Sequence, residues 1–298
     1  MKIIETNPNT DLQHVVDNAE KGTVICLSEG VYRQKIEINT DGVTLRGQGE
    51  KTIIRYDDYA KKKDNNGVEY NTFRTYTVAV CANDVRLENL TIQNGAGNSP
   101  QKGQEVALTA YGNLVAENCV FVSEQDTLFC GPLPDDLIVR YDGFLKEKLR
   151  KKGELKQIYR NCKIFGTVDF IFGCANALFD RCKIISLNDG RTGFAAAPAH
   201  SSEQHVGFVF NECEFDCSCG VKDESIFLAR PWRDYGKATF VNCTYGKHIS
   251  AEGFDKWNDT DRDKTARFAE YGVICDKRVL WSKKATRAET DALLDYFQ

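Results

Sequence analysis

A short β-rich segment recurs in this chain, and its spacing sets the strongest limit on the fold. Each copy has an apolar strand, a polar residue, a cysteine or leucine, and a second apolar stretch, as in "LVAENCVFVS" and "FVFNECEFDC". The cysteine or leucine position is filled by Leu90, Cys119, Cys162, Cys182, Cys213 and Cys243. Successive positions are 29, 43, 20, 31 and 30 residues apart. A period of about 30 residues with short strands indicates a parallel β-solenoid with about three strands in each coil.

The same strand pattern extends back towards the start of the chain. Short apolar strands occur at 23–27 ("TVICL"), 42–47 ("GVTLRG") and 52–56 ("TIIRY"). Because each coil of a solenoid packs mainly on its neighbours, an uninterrupted series of coils forms one continuous core. We therefore predict that residues 1–298 form a single all-β domain, a parallel β-helix.

Both ends of the chain carry helical patterns. Thr10 and Gln13 have the spacing of a capping box, and an apolar helical stripe follows them. The stripe consists of Leu12, Val15, Val16 and Ala19 and ends at Gly22. We expect this helix to plug the open end of the first coil. Residues 285–298 are also predicted to be helical and to lie along the outside of the solenoid.

Composition restricts the location and the partners of the chain. The N-terminus lacks the pattern of a secretory signal, and no apolar stretch is long enough to cross a bilayer. We therefore predict a cytoplasmic protein, or a secreted one if a signal has been removed, with no membrane partner. We also predict a monomer. The net charge of −4 argues against a nucleic-acid partner. Twelve cysteines in a long chain without an export signal favour reduced thiols over a disulfide framework.

The cysteines are interpreted as core residues. A small apolar side chain at one position of every coil would form an internal ladder, which suits the repeated cysteines. Cys217 and Cys219 form a lone C-x-C, and no histidine or cysteine stands at zinc-finger spacing from them. We predict no metal and no cofactor.

The interval of 43 residues contains an insertion at 131–156, which we expect to be partly helical and folded against the side of the solenoid. Its second half holds the six basic residues Lys146, Lys148, Arg150, Lys151, Lys152 and Lys156 and the two acidic residues Glu147 and Glu154. Two interpretations remain open. The charges form a solvated face, or they attract an anionic sugar towards a nearby groove.

Two carboxylates follow equivalent strands in successive coils. Asp126 lies in "QDTL" after "NCVFV", and Asp169 lies in "GTVDFIFG" after "NCKIF". Stacking of the coils should place Asp126 and Asp169 close together on one face. Because two neighbouring carboxylates repel each other, one is expected to hold a proton while the other stays ionised.

Other polar groups are expected to join this pair. Arg230, in "FLARPWRDYG", is expected to pair with Asp169 and to lower its pKa by about 1 to 3 units, keeping it nucleophilic. Trp232 offers a flat surface for a sugar ring. Gln104 and Gln125 supply neutral amide donors of the kind that stabilise an oxyanion in acyl transfer.

Four motifs carry a resemblance to a known family. "QEVAL", "QDTLF", "DFIFG" and "LARPW", in this order on a β-helix, resemble the pectin methylesterases, or pectinesterases, over nearly the whole chain. The resemblance implies a right-handed parallel β-helix that removes methyl esters from methylated galacturonate, in pectin or oligosaccharides, and releases methanol without a metal.

The resemblance also implies a role for each residue. Asp169 would be the nucleophile on the C6 ester carbonyl, and Asp126 would protonate the departing methanol and then activate water. Gln104 and Gln125 would stabilise the oxyanion, and Arg230 would orient Asp169. Trp232, Phe172 and Phe129 would form sugar subsites.

The chain departs from the family pattern at several positions. Gln34 stands where the family usually has Glu, Phe129 where Tyr is common, and Ala229 where Gly is usual. Phe129 lacks a hydroxyl that could touch the substrate. The insertion and the missing signal lead us to expect short imported methylated oligogalacturonides rather than intact cell-wall pectin.

Alternatives stay open for single residues and for the whole chain. Asp126 could cap a strand, Arg230 could form a purely structural ion pair, Trp232 could belong to the core, and Gln104 and Gln125 could stack as a ladder. A lyase or glycoside hydrolase on the same fold would act on the sugar chain rather than on its esters. A solenoid that binds carbohydrate without turnover is the other alternative.

Overall fold

The structure of the chain, a computed structural model, describes residues 2–97, 99, 101–150, 152–272 and 275–298. Its strands, in chain order, are β1 (Ile3–Thr6), β2 (Val24–Leu27), β3 (Gly30–Tyr32), β4 (Ile36–Ile38), β5 (Thr44–Arg46), β6 (Thr52–Tyr56), β7 (Val78–Val80), β8 (Val85–Glu88), β9 (Thr91–Asn94), β10 (Leu108–Ala110), β11 (Leu114–Glu117), β12 (Val120–Val122), β13 (Leu128–Cys130), β14 (Lys156–Arg160), β15 (Lys163–Gly166), β16 (Val168–Gly173), β17 (Asn176–Asp180), β18 (Lys183–Ser186), β19 (Gly193–Pro198), β20 (Phe208–Asn211), β21 (Glu214–Cys217), β22 (Ile226–Ala229), β23 (Lys237–Val241), β24 (Thr244–Tyr245), β25 (Arg267–Tyr271) and β26 (Lys283–Lys284). The helices are α1 (Leu12–Asp17), α2 (Asp135–Arg140) and α3 (Arg287–Asp295), with short 3-10 helices at Thr72–Arg74, Glu147–Leu149 and Arg262–Lys264.

The strands form three long sheets that wrap one core. Sheet A has 11 strands in the order β1-β2-β5-β8-β11-β14-β17-β20-β23-β25-β26. Sheet B has eight in the order β24-β21-β18-β15-β12-β9-β6-β3, and sheet C has seven in the order β22-β19-β16-β13-β10-β7-β4. The pairs are parallel, and the chain visits A, B and C in the same order in each regular coil. The predicted parallel β-helix is confirmed.

The repeated cysteines form a ladder inside the solenoid, as predicted. Cys119, Cys162, Cys182, Cys213 and Cys243 are all buried and belong to the main core. Each thiol lies close to a carbonyl of the preceding coil, for example Cys213 Sγ at 3.1 Å from the Phe179 oxygen. The residue before each ladder position has a left-handed backbone: Asn89, Asn118, Asn161, Arg181, Glu212 and Asn242 have φ between 50° and 54°. Asn tolerates this conformation well, which explains its frequency there.

An aromatic stack runs beside the cysteine ladder on the inner face of sheet A. Tyr159, Phe179, Phe210 and Phe240 occupy successive rungs of β14, β17, β20 and β23. Neighbouring ring centroids lie 5.0, 4.7 and 4.8 Å apart, with interplanar angles of 7°, 13° and 5°. Each such pair adds roughly 0.5–1.5 kcal/mol beyond the burial of its apolar surface. In-register repetition therefore stabilises the core.

The N-terminal helix closes the first coil, but it begins and ends at different residues than predicted. Leu12 and Val16 of α1 are buried in the main core, as expected. The N-cap is Asp11, whose carboxylate accepts from the His14 amide at 3.0 Å, and the helix ends at Asp17 rather than near Gly22. Asp is a strong N-cap, and Thr10 and Gln13 do not form a capping box despite their spacing.

Gln34 holds this helix on the solenoid. Its side-chain oxygen accepts from the Leu12 amide at 2.8 Å, and its nitrogen donates to the Thr10 carbonyl at 2.7 Å. An ionised glutamate at this position could accept the bond from the Leu12 amide, but it could not donate to the Thr10 carbonyl, because a carboxylate has no donor. The departure from the family pattern at Gln34 thus has a structural role, which is to hold the N-terminal capping helix.

The C-terminal helix lies along the outside of sheet A, as predicted. α3 begins with a capping box between Thr286 and Glu289. Leu293, Leu294 and Phe297 pack with apolar side chains on the outer face of sheet A, including Val209. No helix among the described residues is long and apolar enough to cross a bilayer.

The insertion folds against the outer face of sheet C, and it is partly helical as predicted. It contains α2 and the short 3-10 helix at Glu147–Leu149. Its apolar side chains Leu133, Leu137, Ile138, Tyr141, Leu145 and Leu149 join a second apolar cluster outside the solenoid. The insertion is also tied to β4 through Glu37, which pairs with Lys146 at 2.6 Å and with Lys148. The insertion is therefore a packed part of the domain.

Candidate active site

A break in the strand register places Asp169 on the outer face of sheet C. In the pairing of β16 with β19, Val168 faces Phe194 and Ile171 faces Ala196, so β16 contains one extra residue. Such a β-bulge re-aims side chains locally. Asp169 has a left-handed backbone with φ of 51° at this point. As a result, Phe170 and Ile171 are both buried in the main core, while Asp169 lies at the surface cleft.

The glycines of "GTVDFIFG" make room for this bulge. A Cβ at Gly166 would lie 2.2 Å from the Cβ of Phe170, which is closer than side chains can approach. Gly173 has φ of 131°, and a Cβ there would lie 2.0 Å from the Cys130 carbonyl oxygen. Both ends of the motif therefore require glycine so that Phe170 can turn inward and Asp169 outward.

Asp126 lies beside Asp169, as the repeat spacing predicted. Asp126 directly precedes Thr127 and β13, and its amide donates to the Val168 carbonyl at 3.1 Å. It too has a left-handed backbone, with φ of 65°. The side chains interact electrostatically, and the residues are only 9% and 8% exposed. Two strained backbone positions in one site are typical of functional groups held in place by their surroundings.

Arg230 binds Asp169 through two hydrogen bonds, as predicted. Its Nε and Nη2 donate to the two carboxylate oxygens at 2.8 and 2.7 Å. The guanidinium is held between two aromatic rings, with its central carbon 3.8 Å from the Phe194 ring centre and 4.0 Å from that of Trp257. The Arg230 amide donates to the Ala196 carbonyl at 3.0 Å, which fixes the backbone after β22. The Arg230 guanidinium is thus held by the Asp169 carboxylate and by two aromatic rings.

The pKa values of the two carboxyls differ, and one expectation needs correction. Burial and the charge of Asp169 together raise the pKa of Asp126 well above its usual range. Burial also raises the pKa of Asp169, against the opposing effect of Arg230. The expectation that Arg230 lowers the pKa of Asp169 below its usual value is therefore wrong, because desolvation outweighs the ion pair. Asp126 remains the carboxyl that retains its proton to higher pH.

The two glutamines lie in the same cleft as the carboxylates. Gln104 precedes β10 and Gln125 precedes β13, one coil apart, and both are half-buried. The Gln125 side chain hydrogen-bonds Asp126, and its oxygen accepts a long bond from Arg191 at 3.5 Å. An oxygen engaged by Arg191 leaves the amide nitrogen as the donor towards the cleft.

The predicted catalytic residues are therefore brought together in one cleft. This cleft has a volume of about 440 Å³ and lies on the outer face of sheet C. It is lined by Gln104, Gln125, Asp126, Asp169 and Arg230, and also by Phe172 and Trp232. The Phe172 and Trp232 rings meet edge to face at 5.7 Å. Aromatic surface next to paired carboxylates suits a sugar ring that carries a reacting carbonyl.

Phe129 does not line the cleft, and the prediction that it contacts the substrate is wrong. None of its surface is exposed. It points outward from β13, but Phe73, Tyr111 and Phe172 pack around it with ring centres 5.0, 5.4 and 5.0 Å away. The insertion covers this cluster. Phe129 packs against Phe172 beneath the cleft surface and is not accessible to a sugar.

Several cleft residues were missed at the level of sequence. Trp257 and Phe73 line the cleft, and Leu137, Arg140 and Tyr141 of the insertion form one of its walls. Trp257 lies in a polar segment far along the chain, and its contact with Arg230 gives it a place in the site. An isolated tryptophan in a polar loop was the one local signal available.

The described basic residues in the second half of the insertion, Lys146, Lys148, Arg150, Lys152 and Lys156, do not line this cleft. Lys146 and Lys148 pair with Glu37, Arg150 pairs with Asp142 at 2.7 Å, and Lys152 pairs with Asp135 at 3.1 Å. Lys156 donates to the Tyr296 carbonyl at 2.8 Å, and Lys151 lies outside the described residues. Lysine charges that the fold itself neutralises attract a distant anion weakly. The structure favours an anchoring role for them.

Comparison with known proteins agrees with this site. A sequence model of the pectinesterase family matches residues 6–132 and 150–296. The chain belongs to the pectinesterase family. The unmatched stretch lies within the insertion, so the wall formed by α2 is not part of the family pattern.

Relatives and solved structures extend the comparison. The chain is 29% identical over 94% of its length to probable pectinesterase/pectinesterase inhibitor 64 of Arabidopsis thaliana, but it spans only 47%, about half, of that relative. It superimposes on pectin methylesterase PemA from Erwinia chrysanthemi with a TM-score of 0.79 and 22% identity, covering 97% of this chain and 94% of the other. A pectin methylesterase in complex with a hexasaccharide gives a TM-score of 0.77 with 23% identity, covering 95% and 90%. These structures share the right-handed parallel β-helix.

Proposed function

We propose that this chain is a pectin methylesterase, which hydrolyses methyl esters of galacturonate units and releases methanol. The observation that carries the proposal is the pairing of two buried carboxyls in one cleft, one of them held by a bidentate arginine. This arrangement supplies a nucleophile and a proton donor within a single site. Membership of the pectinesterase family supports the choice of ester.

In the first half of the reaction, Asp169 attacks the C6 ester carbonyl. Arg230 favours the ionised form of the Asp169 carboxylate and orients it, because both of its hydrogen bonds stabilise the charged form. Asp126, which holds its proton to high pH, donates that proton to the departing methoxide. Methanol leaves, and the galacturonate carbonyl remains bonded to Asp169 as a mixed anhydride.

In the second half, water replaces Asp169. Asp126, now ionised, accepts a proton from a water molecule, and the resulting hydroxide attacks the anhydride. The bond between Asp169 and the carbonyl breaks, which returns Asp169 to its carboxylate and Asp126 to its protonated form. The net change is one ester and one water converted to one carboxylic acid and one methanol.

Gln104 and Gln125 are proposed to stabilise the negative oxygen that forms in both halves. Both side chains line the cleft beside the carboxyls. Removal of one such donor typically costs about 100- to 1,000-fold in turnover. Trp232 and Phe172 would hold the sugar ring on the other side of the reacting carbonyl.

The substrate we propose is a short methylated oligogalacturonide. The solved relative with a bound hexasaccharide supports a sugar oligomer in a cleft of this fold. In this chain, α2 forms an added wall, and Asp136 on α2 is joined to Arg233 by hydrogen bonds of 3.1 and 2.7 Å. An added wall that is anchored in this way beside the cleft favours short chains over a long polymer. The cytoplasmic location remains a prediction.

The experiment that tests this function is product analysis with two substrates, methylated trigalacturonate and highly methylated pectin. We expect methanol from both, faster release from the trimer, and neither shortened nor unsaturated sugars. Shortened or unsaturated products would assign the chain to a hydrolase or a lyase. Binding without any product would indicate a carbohydrate-binding solenoid, and a strong preference for the polymer would contradict the short substrate.

A further inference from the structure

The wall formed by α2 brings a charged group to the cleft that the family pattern does not contain. Leu137, Arg140 and Tyr141 line the cleft, and all three lie in the stretch that the family model leaves unmatched. Any substrate preference that these residues create is therefore specific to chains with this insertion. Arg140 is exposed, whereas Leu137 and Tyr141 are buried.

The position of Arg140 is fixed by the packing of its neighbours. The Tyr141 hydroxyl donates to the Asn71 side-chain oxygen at 3.0 Å, and its ring packs edge to face on Phe73 at 5.6 Å. The guanidinium carbon of Arg140 lies 5.7 Å from the centre of the Tyr141 ring. At the other end of α2, Asp136 is held by Arg233. Both ends of the short helix are thus attached to the body of the protein.

The cleft contains three arginines, and their partners differ. Arg230 is paired with Asp169, and Arg233 is paired with Asp136. Among the residues that the structure describes, no carboxylate lies within salt-bridge distance of Arg140. Two of the three charges are thus neutralised by the chain itself, and the third is available to a ligand.

We propose that Arg140 is a specificity-determining residue that binds the free carboxylate of an unesterified galacturonate unit near the unit whose ester is cleaved. The proposal rests on the proposed function. A guanidinium matches a carboxylate with two parallel hydrogen bonds, while a methyl ester offers it no charge. The preferred substrate class is then a short oligogalacturonide that is only partly methylated.

The test compares two trimers, one fully methylated and one with a single methyl ester and free carboxylates elsewhere. For wild type, we expect a higher kcat/KM with the partly methylated trimer. In Arg140→Gln, the ratio of kcat/KM for the partly methylated trimer to that for the fully methylated one should fall about 5-fold or more, mainly through KM. Arg33→Gln is the matched control, since Arg33 is exposed, carries the same charge and does not line the cleft.

The outcomes separate this proposal from the proposed function. An unchanged ratio in Arg140→Gln, or an equal loss with both trimers, overturns the role of Arg140 while the esterase activity stands. If wild type releases no methanol from either trimer, the proposed function fails instead. Binding of fully unesterified trigalacturonate, measured by calorimetry, needs no turnover and still tests Arg140: weaker binding in Arg140→Gln than in Arg33→Gln supports the proposal, and equal binding overturns it.

Discussion

The inner face of sheet A and the outer face of sheet C are built from the same coils, yet they differ in regularity. On sheet A, Tyr159 and the phenylalanines above it repeat in register and stack at nearly constant distances. On sheet C, an extra residue at Asp169 breaks the register, and the cleft lies at that break. Repetition stabilises the solenoid, and a local exception to it places the reactive groups.

The two arginine–aspartate ion pairs near the cleft also differ, in this case in their exposure to solvent. The Arg230 and Asp169 side chains are 13% and 12% exposed, whereas those of Arg233 and Asp136 are 29% and 59% exposed. Both pairs are bidentate. Removal of one partner from a buried pair leaves the other charge with neither a partner nor solvent. In an exposed pair, water solvates the charge that remains.

Among the variants that compare these pairs, the largest effect on stability is expected for Arg230→Met. Removal of this cation leaves Asp169 buried without a partner, so we expect a loss of about 3 kcal/mol in the free energy of unfolding. Activity should fall about 100-fold or more, because Asp169 would take up a proton and cease to be a nucleophile. Chemical denaturation and methanol release measure the two effects.

Arg233→Met is the matched control for stability. It removes an arginine from an equally bidentate but more exposed pair, for which we expect a loss of less than about 1 kcal/mol. Equal losses of stability in Arg230→Met and Arg233→Met would contradict the distinction between a buried and an exposed pair.

A smaller effect is expected in the regular part of the core. Cys213→Ser places a hydroxyl in the cysteine ladder, where the side chain is almost fully buried. We expect it to lower the free energy of unfolding by about 1–3 kcal/mol, with turnover of the folded protein unchanged. Cys219→Ser, at an exposed cysteine, is the control. If both variants are equally stable in urea, the ladder does not depend on an apolar side chain.

The most local effect, visible only in the pH dependence of stability, concerns Glu105, next to the cleft residue Gln104. Glu105 is buried, and its Oε1 has no hydrogen-bond partner among the described residues. Burial, and then the charge of Glu124, raise its pKa to about 7. Because the folded pKa lies above the unfolded value, the free energy of unfolding should fall as pH rises from about 4.5 to about 7 and then stay low.

Glu105→Gln should remove this part of the pH dependence. Its stability between pH 5 and pH 8 should change less than that of wild type, as followed by thermal unfolding at each pH. Glu29→Gln, at an exposed glutamate, changes the same charge and should keep the wild-type slope. A Glu105→Gln protein with the full wild-type slope would show that another group causes it.

Sequence alone was sufficient for the parts of the molecule that repeat. The cysteine positions predicted the coils, and equivalent positions in two coils predicted that Asp126 and Asp169 are neighbours. Local patterns also predicted a helix at 285–298, and α3 begins there with a capping box whose residues are only three apart. The N-cap of α1 was misplaced by one residue, since Asp11 and Thr10 are both capable caps and only the backbone decides between them.

The parts that depend on distant contacts could not be predicted. Phe129 has an outward position on β13, and only the packing of Phe73 and the insertion makes it inaccessible. Trp257 gains its place by contact with Arg230. The direction of the pKa shift of Asp169 depends on how far burial outweighs an ion pair, which requires the depth of the site. Each of these is set by groups far apart in the chain.

The central claim is that Asp169 is the nucleophile and Asp126 its proton donor, and methanol release from methylated trigalacturonate tests it most directly. Wild type, Asp169→Asn and Asp126→Asn are compared at equal protein concentration, after circular dichroism has shown that all three are folded. We predict turnover by wild type and a loss of about 1,000-fold or more in kcat for Asp169→Asn, with a large loss also for Asp126→Asn. Wild-type turnover retained by folded Asp169→Asn would contradict the account.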